Sequence, residues 1–244
     1  MKLNRRDLFR TMAAAAPLVL AVGEVRAATE EKAAAPAPAA PPAAHVPVPL
    51  PFDPKKLVGI SEKLIVSHHD NNYAAAVKGL NAVEGQLAST KGDTPPFVIN
   101  GLRERELNFA NSIALHEMYF ANLGGNGKSD GAIVAGIAEH FGSLARWEEL
   151  FRQTGKALGG GSGWVTLSHS HHSHSLRITW SGGHTQSLAF GQPLLVMDMY
   201  EHAYQMDFGA AVDKYIDAFF QNIRWEEVNR RFEKGQAVAK LLKS

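Results

Sequence analysis

The sequence lacks cysteine altogether among its 244 residues. That absence excludes disulfide bonds, thiolate metal sites and a cysteine nucleophile. Any metal site in this chain must therefore be built from histidine, aspartate or glutamate side chains. The eleven histidines provide enough material for one such site.

The sequence also lacks an excess of charge of either sign, because 25 Lys and Arg residues are balanced by 24 Asp and Glu residues. The formal net charge is +1. This balance favours neither a nucleic-acid partner nor a membrane surface as partner. The length is sufficient for one large domain or two small ones with a hydrophobic core.

The N-terminus has the pattern of an export signal. Arg5 and Arg6 precede the apolar stretch 12–22, and small residues offer a cleavage site after Ala27. We predict a twin-arginine signal peptide over residues 1–27, recognised by the twin-arginine export machinery, and a periplasmic or otherwise exported protein. The apolar stretch is shorter than the roughly 20 residues of a membrane span, so we expect no span after signal removal. An uncleaved anchor and a chance arginine pair are the alternatives.

The segment after the signal is rich in alanine and proline. Residues 28–51 cannot bury enough apolar surface to fold, so we predict an extended, disordered linker. The folded part is expected to start near Phe52. Within it we predict a helical domain over residues 52–130 and a second domain with both helices and strands over residues 131–244.

Hydrophobic periodicity predicts helices first and strands later. Apolar residues at helical spacing from Ile60 to Leu87 predict a pair of helices or one broken helix, which the prolines Pro95 and Pro96 are expected to end. Further helices are predicted at 104–123, 131–141, 143–158, 212–221 and 224–234, and strands at 164–167, 176–180 and 194–197. This order is typical of an α+β fold, with an N-terminal helical hairpin followed by a small antiparallel sheet flanked by helices.

Four residues carry the chemistry that the sequence suggests. Asp198 and His202 are four apart in an apolar surround, so a helix after the predicted strand would point both to one side. A buried carboxylate needs a compensating partner, and a metal ion would provide it. His116 lies in the middle of a predicted helix, and His68 precedes another histidine. Taken singly, each has a plainer reading as a surface pair, a helix cap or a hydrogen-bonded core histidine.

The arrangement of several motifs resembles the iron/manganese superoxide dismutases, over about residues 52–234. The strongest motif runs from Asp198 to Tyr204 and is similar to the family pattern D-x-W-E-H-A-Y, with Tyr200 in place of Trp. The other motifs follow in the family's order: His68-His69-Asp70-Asn71-Asn72-Tyr73, Asn108–Phe120, Gly161-Ser162-Gly163-Trp164, Tyr215-Ile216-Asp217-Ala218-Phe219 and Asn222-Ile223-x-Trp225.

The resemblance implies a function and a cofactor. His68, His116, Asp198 and His202 fall on the family's four metal ligands and would hold one iron or manganese ion per subunit. The implied reaction converts superoxide, a small-molecule substrate, to dioxygen and hydrogen peroxide. The sequence does not choose between iron and manganese.

Some positions depart from the family pattern around the metal. In the family, a glutamine next to the metal comes either from the helix of the second ligand or from the sheet. Ser112 stands at the first of these two positions. His184 is the expected substitute from the sheet, with Gln186 as the alternative if the register differs. Trp164 is expected to line the metal pocket, as are Tyr119 and Phe120, although all three also suit an ordinary core.

Further departures affect proton delivery and the dimer that the resemblance implies. The family's gateway tyrosine falls on Ala76, and its neighbouring histidine falls on Asn72. Tyr204 is kept, but the tyrosine after it is Gln205, so an amide pair between Asn72 and Gln205 could replace a contact across the interface. Glu201 is kept, which implies a homodimer. The missing tyrosine motivates the alternative of an exported metal-binding protein with weak or no turnover.

A histidine-rich tract follows the first predicted strand. His169, His171, His172 and His174 lie at the expected hairpin between the first two strands. Histidines two apart on a strand face one way and could hold zinc, copper or nickel. A solvated hairpin tip is the reading that we favour.

Overall fold

The structure is a computed structural model that describes residues 44–242. The predicted signal peptide, 1–27, lies outside the described residues, as does most of the linker, so both stay predictions. The division into domains at residues 52 and 131 also stays a prediction. The described residues belong to one packed unit. Among residues 44–242, no helix is long and apolar enough to cross a membrane.

The chain already contacts the helices before Phe52. The backbone N–H of His45 donates to the side chain of Asn81 at 2.8 Å, and the Asn81 amide returns a bond to the His45 carbonyl at 2.9 Å. The N–H of Val48 donates to the Tyr73 hydroxyl at 2.8 Å. The last residues of the predicted linker are therefore held against the first helices.

The first helical part is one path with a widened turn. Helix α1, Glu62–Ser67, begins at Ser61, whose hydroxyl accepts from the N–H of Leu64 at 3.1 Å. A π-helical segment, His68–Tyr73, follows directly, and helix α2 continues over Ala74–Ala88. The predicted broken helix is therefore a continuous one with a π-helical segment, a feature that is frequent at functional sites.

Helix α3, Pro96–Ala121, packs antiparallel to α2 as the second arm of the helical hairpin. It begins eight residues before the predicted start. Pro96 was expected to end the preceding helix, but it stands at the first position of α3, where the missing N–H of proline has no intrahelical partner to lose. Helices α4, Ala132–Phe141, and α5, Leu144–Ala157, follow at nearly the predicted bounds.

A three-stranded antiparallel sheet forms the second part, as the α+β prediction required. Its strands are β1, Trp164–Ser170, β2, Ser175–Ser181, and β3, Gly191–Asp198, in the order β2-β1-β3. The register places Trp164 opposite Asp198 on one side and opposite Ser181 on the other. This pairing brings the start of β1 to the end of β3.

The chain after the sheet is helical again. A short 3₁₀ turn covers Glu201–Ala203, and helix α6 covers Gln205–Phe208. Helix α7, Val212–Gln221, and helix α8, Trp225–Leu241, complete the fold. The core is one cluster of buried apolar side chains to which the helices and all three strands contribute.

A buried arginine fixes α8 against α3 and β3. The Arg231 guanidinium donates to the Asn122 side chain at 3.2 Å, the Leu194 carbonyl at 3.1 Å and the Met118 carbonyl at 3.3 Å. Its Nε donates to the Glu227 carboxylate at 2.8 Å, which balances the buried charge. Asn122 also accepts from the N–H of Val196 at 2.9 Å. This network holds α3 and β3, which carry two of the predicted ligands, in a fixed relation.

Candidate metal centre

Four separate elements deliver the four predicted metal ligands. His68 is the first residue of the π-helical segment, and His116 lies near the end of α3. Asp198 is the last residue of β3, and His202 lies in the 3₁₀ turn that follows. The chain thus brings together side chains that are far apart in the sequence, as the resemblance implied.

The ligand atoms of these residues converge on one point. One atom from each of His68, His116, Asp198 and His202 lies within 4.8 Å of the others. The Asp198 Oδ2 atom lies 3.1 Å from the Nε2 of His68, 3.4 Å from that of His202 and 3.6 Å from that of His116. His68, His116 and Asp198 are buried, and His202 is partly exposed.

The same four atoms lack hydrogen-bond partners. The Nε2 atoms of His68, His116 and His202 and the Oδ2 of Asp198 are buried and make no hydrogen bond in the structure. Leaving such groups unpaired in the interior costs free energy, so nearly all buried polar groups in proteins are paired. A cation placed among the four atoms would satisfy all of them at once. Three imidazoles and one carboxylate are a donor set that suits iron or manganese.

Hydrogen bonds fix the orientation of two of the ligands, His116 and Asp198. The His116 Nδ1–H donates to the Ser112 carbonyl at 2.7 Å, which leaves Nε2 as the nitrogen with a lone pair. The second carboxylate oxygen of Asp198, Oδ1, accepts from the N–H of Tyr200 at 2.8 Å. The Tyr215 hydroxyl donates to the backbone carbonyl of Asp198 at 2.6 Å. These bonds aim Nε2 of His116 and Oδ2 of Asp198 at the common point.

The electrostatics of the site keep the ligands in the form that binds a cation. Burial lowers the pKa of His68, and it lowers the pKa of His116 to about 3, so both imidazoles are neutral near pH 7. Burial alone would raise the pKa of Asp198, but the close contacts with His202 and His68 outweigh it, and the pKa lies below its usual range. The site therefore offers lone pairs and a carboxylate charge.

The prediction that an α-helix brings Asp198 and His202 together is wrong. The spacing of four was expected to place both on one face of an α-helix. Asp198 instead ends a strand, and only His202 is helical, in the 3₁₀ turn. Only Met199 and Tyr200 separate the end of β3 from the 3₁₀ turn, and the N–H of Tyr200 holds the Asp198 carboxylate by its Oδ1 atom.

An aromatic wall closes one side of the centre. The Trp164 Nε1–H donates to the Nδ1 of His184 at 3.0 Å. The His184 ring stacks on Tyr200 with centroids 4.8 Å apart and lies 6.1 Å from the ring of His116. Burial lowers the pKa of His184. Gln186, the alternative, is exposed and accepts from the N–H of Gly182 at 2.7 Å, so it braces the turn before it.

Tyr200 is a residue whose role the sequence reasoning missed. It was noted only as a substitution in the family motif, yet its ring stacks on both His184 and His202, at centroid distances of 4.8 and 5.3 Å. The ring also lies 5.9 Å from that of Trp164. An aromatic residue at the third position of the motif, two residues after the carboxylate ligand, was the signal available. Tyr119 and Phe120 also contact the ring of His68, at 5.3 and 5.1 Å.

The residues expected at the gateway and the dimer interface lie around this centre. Ala76 is buried in α2, and Asn72 is partly exposed in the π-helical segment. Glu201 and Gln205 are exposed. Tyr204 is buried, and its hydroxyl accepts from the N–H of Gly160 at 3.1 Å. The expected contacts of Glu201, Asn72 and Gln205 with a second copy stay predictions.

Comparison with known proteins identifies relatives of this chain. Residues 129–231 match the family described as iron/manganese superoxide dismutases, C-terminal domain. The chain is 50% identical over 185 residues to "Superoxide dismutase [Fe]" of Cupriavidus metallidurans, a match that covers 75% of this chain and 94% of that protein. It is 32% identical over 194 residues to "Superoxide dismutase [Mn] 2" of Haloferax volcanii, with 78% and 95% covered. It is 33% identical over 199 residues to "Superoxide dismutase [Fe]" of Aquifex pyrophilus, with 78% and 92% covered.

Adjacent histidines provide a matched test of the metal centre. His68→Ala removes a converging ligand atom, so metal retained after purification should fall from about one ion per chain to less than about a tenth of that. His69→Ala should retain the metal, because His69 bonds the Val48 carbonyl and the Asp70 carboxylate instead. Elemental analysis of both variants, with circular dichroism to verify folding, decides the outcome. Equal metal content in the two folded variants would show that His68 is no ligand.

Proposed function

The chain belongs to the iron/manganese superoxide dismutase family, and we propose that it converts superoxide to dioxygen and hydrogen peroxide at one iron or manganese ion per subunit. The observation that carries the proposal is the convergence of four buried, unpartnered ligand atoms from His68, His116, Asp198 and His202. A bound ion would supply the one-electron exchange by which one superoxide is oxidised and a second is reduced. Two protons complete the formation of hydrogen peroxide.

His184 is suited to hold a proton beside the metal. Its Nδ1 accepts from Trp164, so in the neutral imidazole the remaining proton is on Nε2, which can donate to an oxygen atom. The ring lies between Tyr200 and His116, and the pKa lowered by burial favours this neutral form. We therefore assign to His184 the place that a glutamine occupies in the family, with Trp164 fixing its tautomer.

The gateway of this chain differs from the family pattern that the sequence resembles. Ala76 and Asn72 provide neither the tyrosine hydroxyl nor the imidazole expected there. A proton must then reach the site by another route, for which we propose His184 and the Tyr200 hydroxyl, whose rings lie next to those of His116 and His202. If that route is inefficient, the protein binds metal with weak turnover, which is the second candidate function.

Turnover by the metal-loaded protein tests the proposed function directly. The full folded chain, loaded in separate samples with iron and with manganese, should consume superoxide and release one hydrogen peroxide for every two superoxide anions. Pulse radiolysis gives the rate, and a peroxide electrode gives the stoichiometry. Bound metal without consumption above the spontaneous rate would overturn the enzymatic proposal and favour the metal-binding candidate.

Variants on the His184 turn assign its role within the same assay. His184→Ala should lower turnover by about 10- to 100-fold, keep the metal and shift its midpoint potential, because a donor beside the metal is lost. His184→Gln keeps a donor and should recover part of the loss. Gln186→Ala, on the same turn, should leave turnover and potential unchanged. Equal effects of His184→Ala and Gln186→Ala would contradict the assignment.

We also propose that the protein acts as a homodimer. The support is the exposed carboxylate of Glu201 next to the ligand His202, together with the exposed amide of Gln205 and the partly exposed amide of Asn72. Glu201 would bond a ligand histidine of a second copy, and the two amides would pair across the interface.

Molecular mass in solution measures the dimer. Sedimentation of the metal-loaded protein should give twice the mass of one chain, and Glu201→Ala should raise the dissociation constant at least about tenfold, since a buried charged pair is lost at the interface. Glu226→Ala, an exposed carboxylate on α8, is the control and should have no effect. A single-chain mass for the loaded wild-type protein would contradict the dimer.

We further propose that the protein is exported folded to the periplasm by the twin-arginine machinery. The support is the pattern of Arg5 and Arg6 before an apolar stretch and a small-residue cleavage site. Replacing both by lysine should leave the protein uncleaved in the cytoplasmic fraction. A wild-type protein found only in that fraction would contradict the proposal.

A further inference from the structure

The histidine tract divides into a buried base and an exposed tip. His169 is 5% exposed and His171 is 9% exposed, whereas His172 and His174 are exposed. The solvated tip that we favoured from the sequence is therefore right only for the last part of the tract. His169 is the next-to-last residue of β1, and its Cβ lies beside Gly235 of α8. His171 packs on Phe190 with ring centroids 5.4 Å apart.

The two buried histidines have polar atoms without partners. The Nδ1 atoms of His169 and His171 are buried and make no hydrogen bond. In the described residues, the ligand atoms of the metal centre share this condition, and so do His68 Nδ1, Trp147 Nε1 and Arg224 Nε. The nitrogens of Trp147 and Arg224 only donate hydrogen bonds, whereas an imidazole nitrogen can also bind a cation. Two such nitrogens two residues apart in the sequence need an explanation that a polar hairpin does not provide.

The separation of the two rings matches that of metal-ligating pairs. The ring centroids of His169 and His171 are 5.0 Å apart. The three imidazole pairs of the metal centre have centroid separations of 4.7, 5.0 and 5.8 Å. This separation is compatible with a single ion between His169 and His171, held by metal–nitrogen bonds of about 2.0–2.1 Å.

A third histidine, His140 of α4, has its tautomer set by a backbone bond, and α4 packs against α8 and β2. The His140 Nδ1–H donates to the Gly136 carbonyl at 2.8 Å, one turn back in α4. His116 makes the same bond to the carbonyl of Ser112, four residues before it, in the metal centre. In both cases Nε2 keeps its lone pair. Burial lowers the pKa of His169, and the charges of His171, His174 and His140 lower it further.

We propose that His169 and His171, with His140 as third ligand, form a second transition-metal site at the base of the β1–β2 hairpin. Imidazole ligands without a carboxylate select zinc, copper(II) or nickel over harder cations such as magnesium or calcium. His169 and His171 already lie together, whereas within residues 44–242 the ligand atoms of His140 do not converge with theirs. A rotation of the exposed His140 side chain would therefore have to complete the site. This site does not depend on the redox reaction at the first centre.

Cobalt(II) is the probe for the second site, because its tetrahedral complexes absorb strongly in visible light. The full-length folded protein is first loaded with iron, and cobalt(II) is then titrated in. The wild-type protein should retain about one cobalt per chain after desalting, with the spectrum of a tetrahedral nitrogen site. His171→Gln should weaken cobalt binding at least about tenfold and leave the iron content unchanged.

Two further variants distinguish the loss of a ligand from misfolding and from unspecific binding. His140→Gln changes an exposed side chain on α4, so it should fold normally and also weaken cobalt binding. His172→Gln, an exposed neighbour in the tract, should bind cobalt like the wild type. No retained cobalt in the wild-type protein would overturn the proposal. So would equal weakening by His172→Gln and His171→Gln, which would indicate a loose histidine-rich surface.

Discussion

The Oδ2 atom of Asp198 lies in the protein interior, within 3.6 Å of three imidazole nitrogens that have no hydrogen-bond partner. An ionised carboxylate in that position is costly unless a positive charge stands beside it. Much of the surrounding structure maintains this arrangement. Tyr200 and Tyr215 hold Asp198 from behind, and the Arg231 network fixes α3 against β3. The fold therefore holds together four ligand atoms that have no other partner, and a bound cation would satisfy all four. Metal binding should in turn stabilise the fold.

The metal ligands of this chain match the family pattern, whereas the residues at the positions expected to deliver protons do not. All four ligands are present, and hydrogen bonds from the Ser112 carbonyl, the Tyr200 N–H and the Tyr215 hydroxyl support two of them, His116 and Asp198. At the positions where the resemblance puts the gateway tyrosine and histidine, this chain has Ala76 and Asn72, and beside the ligands His184 stacks on Tyr200. Such a change leaves the metal's coordination intact and acts on proton delivery and redox potential, which depend on hydrogen bonds around the metal. The choice between iron and manganese rests on the same altered groups.

Much of the site could be predicted because short motifs retain the ligands, but their geometry could not. The spacing of Asp198 and His202 suggested a helix, whereas a strand end and a 3₁₀ turn achieve the same convergence. Pro96 was read as a helix end because proline breaks helices, yet it begins α3, and only the flanking structure distinguishes the two roles. The burial of His169 and His171 depends on α8 and on Phe190, which are distant in sequence, so a local reading placed them in solvent.

The position of the bound ion tests most directly whether these four side chains bind the metal. Crystals of the metal-loaded protein, measured at the absorption edge of iron or manganese, locate the ion by its anomalous scattering. We expect the anomalous peak of the ion within about 2 Å of the Nε2 atoms of His68, His116 and His202 and of Oδ2 of Asp198. A peak elsewhere, or a coordination sphere from which one of these four atoms is missing, would contradict this expectation.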